Sequence, residues 1–277
     1  MKNIYHQVAY LKRKYLTILF FFHLGIFSTY AQLPDSITVI REKPEKLLKN
    51  LRIQNITTGG FNFWYDDFSG HWAGLDFGFN TLLDKRLETH IPPFLEHDIF
   101  RSNSLYANII QQSIGLQKTR NTIGLVTGLG LQFKSYRLNK NTTIEQNADG
   151  TVRGRTLVFD DNQKSKFSAV YLTAPLLLEF QIPINHYANR IFISGGMVGA
   201  YRLSSHTKIK YRSDRNKEKL KTPGDYGLQD FRYGVMMRLG YRQYQVFVNY
   251  DLVPMFSQEA RVQDVYPFTF GVTLLSF

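Results

Sequence analysis

The 277-residue chain contains no cysteine. That excludes a disulfide framework, a cysteine-ligated zinc or iron–sulfur site and a cysteine nucleophile, and leaves nothing to carry a lipid anchor near residue 31. Beyond residue 31 no stretch reaches 18 uninterrupted apolar residues, so no transmembrane helix is expected. No phosphate loop, dinucleotide fingerprint, HExxH or HxH arrangement occurs, and the glycines follow a strand period instead of opening a helix. No cofactor is expected. Acidic residues are in deficit, with 34 Lys and Arg against 22 Asp and Glu, but the basic residues are dispersed, which argues against a nucleic-acid partner.

What is abundant is aromatic: 17 Tyr and 22 Phe, alongside 20 Gly. Aromatics and glycine with modest overall hydropathy suit sheets that have one wet and one oily side. The first 31 residues have a different character. Lys2, Lys12, Arg13 and Lys14 precede the apolar run Tyr15–Phe27, and the small residues Thr29 and Ala31 follow. This is the pattern of a secretory signal peptide (1–31) cut after Ala31, and the oily run is too short to span a bilayer. Its removal takes four cations and no acid, so the net charge falls from +12 to 12 − 4 = +8. Residues 32–68 are mixed, polar and basic, and are expected to form an N-terminal segment on the periplasmic side.

From there period two dominates. Leu75, Phe77 and Phe79 alternate with Trp72, Asp76 and Asn80; Leu125, Leu129, Leu131 and Phe133 with Gly124, Gly128, Gln132 and Lys134. Leu172, Leu176, Leu178 and Phe180 alternate with Tyr171, Thr173, Glu179 and Gln181, and Ile191, Ile193, Met197, Tyr201 and Leu203 oppose Ser194, Gly196, Ala200 and Arg202. The clearest pair runs Phe231–Tyr241 and Tyr244–Leu252 about the turn Arg242-Gln243, with Phe247 on the polar face and Val248 on the oily one. A last strand covers Phe268–Leu274, and an eighth, near Ser104–Lys118, alternates too poorly for its faces to be assigned. Connections alternate long (81–102, 139–164, 205–227, 254–265) and short (119–121, 183–189, 242–243). An even strand count with alternately short and long connections predicts an all-β fold: an eight-stranded antiparallel up-and-down transmembrane β-barrel over 69–277, with short periplasmic turns and long extracellular loops. The polar face, rich in glycine with isolated charges, suits the crowded interior of a small barrel better than a water-facing surface. On this reading arginine is better tolerated at 247 than at 248.

The blocks Ser69–Asn80 (SGHWAGLDFGFN), Gly124–Leu138, Tyr171–Pro183 and Ile193–His206 resemble, in order, segments of the PorT-like group of bacterial outer-membrane β-barrel proteins. The resemblance implies a barrel of the porin-family type in the outer membrane of a Gram-negative bacterium, in a group with members linked to protein secretion.

Candidate functional residues are sparse. Asp76, Glu179, Arg202, Arg232, Arg238 and Asp251 are expected to form a charge network inside the barrel. Lys208, Lys210, Arg212, Arg215, Lys217, Lys219 and Lys221 form a basic loop able to meet lipopolysaccharide phosphates. His90 and His97 share a loop with Glu88, Glu96 and Asp98 but lack metal-ligand spacing, and no metal is expected. Ser69, His71, Asp66 and Asp67 are the one close cluster of catalytic residue types, and adjacency in sequence is not a triad. The expected function is therefore non-enzymatic: a structural, binding or secretion-associated role in the cell envelope, with outer-membrane lipid, lipopolysaccharide and envelope or secretion proteins as partners. The alternatives are an envelope-lipid-processing barrel enzyme and a narrow passive pore.

Overall fold

The computed structural model describes residues 68–117, 121–139, 141–158, 163–184, 189–213 and 216–276. The expected signal peptide, and all of the 32–68 segment except Phe68, lie outside the described residues. Eleven strands occur among the described residues: β1 (Gly74–Leu83), β2 (Asn103–Gly115), β3 (Ile123–Arg137), β4 (Thr142–Gln146), β5 (Val152–Thr156), β6 (Lys164–Ile184), β7 (Asn189–Ser213), β8 (Asn216–Pro223), β9 (Phe231–Tyr241), β10 (Tyr244–Asp251) and β11 (Tyr266–Ser276).

Eight of them pair antiparallel into a closed ring, in the order β1-β2-β3-β6-β7-β9-β10-β11 and back to β1. Closure leaves no free edge among these strands. The other three belong to the connections: β4 and β5 make a hairpin between β3 and β6, and β8 extends the second half of β7. The first half of β7 pairs with β9 (Ile191↔Tyr241 to Tyr201↔Phe231), the second with β8 (His206↔Pro223 to Ser213↔Asn216). Residues 205–227, expected as a loop, are thus largely a strand hairpin rising beyond the ring.

Alternation sets the faces. On β9, Arg232, Gly234, Met236 and Arg238 point inward while Tyr233, Val235, Met237 and Leu239 point outward. Met236 is fully buried and its neighbour Met237 is 55% exposed. The same rule holds along β3, β6 and β10. On β2 the pairing shifts register between Asn108 and Ile110. This bulge turns Ser104, Tyr106 and Asn108 inward before it and Gln111 and Ser113 inward after it, which is why no single period fits the segment.

Two apolar layers fill the ring. Near its middle, Trp72, Tyr106, Val126, Leu177, Val198, Met236 and Phe247 pack together with Phe68. At the end bearing the long connections, Leu82, Tyr136, Phe167 and Tyr171 from the wall meet Leu95, Ile144, Val152, Tyr226, Leu228, Met255, Phe256 and Val265 from the loops. Those loops therefore fold down over the ring.

Candidate functional site

The polar interior positions sort into separate groups. Asp76 on β1 faces Arg238 on β9: Nη1 donates to Oδ2 at 2.8 Å and Nη2 to Oδ1 at 3.2 Å. Asn108 Nδ2 (2.9 Å) and Thr273 Oγ1 (2.6 Å) donate to the same carboxylate, and all its acceptor directions are used. Asp251 on β10 accepts from Arg232 Nη1 (2.5 Å), Lys134 Nζ (3.2 Å) and Asn249 Nδ2 (3.0 Å). The Arg232 guanidinium also lies 4.0 Å from the centre of the Tyr171 ring.

The remaining two members of the expected network have other partners. Glu179 meets His71, with Oε1 2.7 Å from Nδ1, and also accepts from Gln181 Nε2 at 2.8 Å. Arg202 stands at the rim and donates to two loop acids, Asp225 and Asp230. Two groups absent from the expected set complete the arrangement. Lys134 lies on the polar face of β3, the signal that marks it as interior, and His71 comes from the segment before β1.

That segment departs from the expected first strand. The alternation in sequence extends back to Trp72, but the wall begins at Gly74, whose φ of 151° is open to glycine and costly for other residues. A Cβ there would lie 2.1 Å from the Leu275 carbonyl oxygen. From this break, residues 68–73 turn into the ring interior. Gln111 Oε1 accepts from the backbone N–H of Trp72 and of Ala73, both at 2.7 Å, and its Nε2 donates to the Gly70 carbonyl (2.9 Å). The His71 ring stacks on Phe192 at 4.1 Å. Phe68 is accommodated because Gly124 lacks a Cβ, which would sit 2.3 Å from the Phe68 ring. Gln111→Met removes the acceptor of two buried N–H groups, at a cost of about 1–3 kcal/mol for each group left unpaired. In a Trp64→Phe background, where Trp72 alone emits, the variant is expected to red-shift at a urea concentration below that of global unfolding. An unchanged emission profile would show that Gln111 does not hold the segment.

Among the described residues no group of three or more His, Asp or Glu gathers as a metal site. His97 is buried, its Nδ1 donates to the Leu95 carbonyl at 2.9 Å, and burial pushes its pKa below the ordinary histidine range. Ser69 is exposed, Asp66 and Asp67 lie outside the described residues, and no described hydroxyl bonds to His71 Nε2. Of the basic hairpin residues, Lys208 and Lys210 project from β7 and Lys219 and Lys221 from β8. Arg215 lies outside the described residues, and only the backbone of Arg212 and Lys217 is described.

No curated protein and no solved structure matches this chain. A family model described as outer membrane protein beta-barrel domain matches residues 73–260, a span that runs from the start of β1 to the last long connection. With a closed antiparallel ring whose outer face is apolar and whose inner face is polar, the chain belongs to the outer membrane protein beta-barrel domain family.

Proposed function

We propose that the protein is an eight-stranded transmembrane barrel of the outer membrane of a Gram-negative bacterium, exported by the signal peptide 1–31. Its role is structural or binding rather than enzymatic, exerted through its long extracellular loops and its periplasmic 32–68 segment. The observation that carries this reading is the outer face of β9 and β10. Phe231 and Tyr233 lead into Val235, Met237 and Leu239, which lead to Tyr241; on β10, Tyr244 and Tyr250 flank Val246 and Val248. Ten residue steps from Phe231 to Tyr241 rise about 33 Å along the strand, or about 25 Å at a tilt of about 40°. Aliphatic side chains between aromatic ends at that height match an apolar band with its two interfacial girdles. A soluble protein would expose this continuous oily wall to water.

The filled interior argues against a pore, since two apolar layers and a polar layer with buried ion pairs stand across the ring. A secretion-associated role rests on the PorT-like resemblance of β1, β3, β6 and β7, and outer-membrane lipid and lipopolysaccharide are the proposed neighbours. The test is location and conductance together. The protein is expected to fractionate with the outer membrane, to migrate faster on mild gels before heating than after, and to give no conductance steps in planar bilayers. Recovery as a soluble periplasmic protein would overturn the barrel, and steady conductance would overturn the closed interior.

A further inference from the structure

Above the apolar wall, the rim carries rows of cations. In register across four neighbouring strands stand Arg137 on β3, Lys166 on β6, Lys208 on β7 and Lys221 on β8. Two residues further out, Lys164, Lys210 and Lys219 repeat the row on β6, β7 and β8. The alternating residues Ser165, Phe167, Thr207 and Ile209 are buried and face inward, so the cations occupy the outer face. None of these cations makes an ion pair with a described acid. Neighbouring strands lie about 4.8 Å apart, and like charges directly opposite one another weaken the pairing. An anion bridging the rows reverses that penalty.

The height of the rows identifies the anion. Along β3 the outward order is Phe133, Ser135, Arg137; along β6 it is Val170, Ser168, Lys166. Four residue steps are about 13 Å along a strand, or about 10 Å of height after tilt. A headgroup layer extends about 5–8 Å beyond the hydrocarbon, within the downward reach of lysine and arginine side chains. The four cations of the first row span about 15 Å, enough for two phosphates on one headgroup. At the β3 end, Arg137 and Lys164 also line a polar cavity of about 250 Å³ with Asp98, Arg101, Asn139 and Asn141, groups that suit sugar hydroxyls.

We propose that this rim, on the outer wall of β3, β6, β7 and β8, binds a bis-phosphorylated glycolipid headgroup of the outer leaflet, the phosphates on the cation rows and the sugar at the cavity. The proposal rests on the outer-membrane reading above and extends it from a basic hairpin to a defined site that includes Arg137, Lys164 and Lys166.

The test uses the full chain folded into an uncharged detergent, with heat-modifiable migration checked in the same sample. Retention of bis-phosphoryl lipid A, monophosphoryl lipid A and phosphatidylglycerol is measured by native mass spectrometry, with inorganic pyrophosphate as competitor. Bis-phosphoryl lipid A is expected to bind best. The variant R137Q/K166Q/K208Q is expected to lose about tenfold in its retention, by the usual worth of exposed ion pairs, and R86Q/R153Q/R261Q, exposed cations elsewhere, to lose little. Equal losses in the two variants, no loss in the first, equal binding of the three lipids, or pyrophosphate competing as well as lipid A would each overturn the site in a folded chain. A chain that never becomes heat-modifiable would overturn the barrel reading, and this site with it.

Discussion

Asp251→Ala is expected to produce one of the largest losses of stability of any single interior change. The carboxylate stands between Arg232 and Lys134, whose side chains are each 1% exposed, and it is the acid that meets both. Removing it leaves two like cations facing one another without water. Breaking a buried ion pair by deleting one partner costs about 3–5 kcal/mol, because an uncompensated charge is left behind. The Asn249 amide loses an acceptor as well. The measurement is the urea midpoint of unfolding from phosphatidylcholine bilayers. The informative companion is the triple variant Asp251→Leu, Lys134→Met, Arg232→Leu, in which the charged group is replaced as a unit. Substituting apolar residues for a whole buried ionic group is often neutral or stabilising, so the triple variant is expected to recover most of the loss. A single variant within about 1 kcal/mol of the parent would mean that water reaches these charges.

The contrast between Asp251 and Arg202 shows which part of the site was legible in the sequence. Strict alternation tells which way a side chain points, and it placed Asp76, Lys134, Glu179, Arg232, Arg238 and Asp251 on the inner face, where they lie. Alternation carries no information on height along the ring axis, and height chooses the partner. Arg202 is on the polar face of β7, yet it sits level with Asp225 and Asp230 of the loop that follows β8. Glu179 lies toward the end where residues 68–73 enter, so its partner is His71 rather than an arginine. Lys134 was readable as interior but had no visible claim on Asp251, a residue 117 positions away.

Two local features defeated the period itself. The bulge near Ile109 inverts the phase in mid-strand, and no side-chain pattern announces it because Ile109-Ile110 and then Gln111-Gln112 repeat one residue type at consecutive positions. The hairpin of β7 and β8 read as loop because its outward face is lysine. A wall strand keeps its inward alternation beyond the oily band while its outer face turns polar, so the usual contrast between faces disappears there.

Val248 and Phe247 test the two faces directly, and the structure changes what is expected of them. Val248 points outward beside Met237, close to midway between Phe231 and Tyr241. An arginine there is expected to cost about 2–4 kcal/mol, the range for a basic side chain facing lipid at the midplane. The sequence pattern alone predicts a milder effect for Phe247→Arg, on the assumption of a polar interior. Phe247 is instead 2% exposed, stands edge-on to Tyr106 at 5.3 Å, and has the Arg238 guanidinium 6.0 Å from its ring centre. A second cation there would be buried against Arg238, whose carboxylate partner Asp76 is already fully engaged. The loss is therefore expected to equal or exceed that at 248, about 3–5 kcal/mol. Size of effect will not separate the faces, but bilayer thickness will. An arginine at 248 reaches the headgroups more easily when the acyl chains are shorter, so its cost is expected to fall in thinner bilayers. At 247 the surroundings are protein, and the cost is expected to stay constant as the lipid is changed. Thickness dependence at 247 with none at 248 would show that the two faces are reversed.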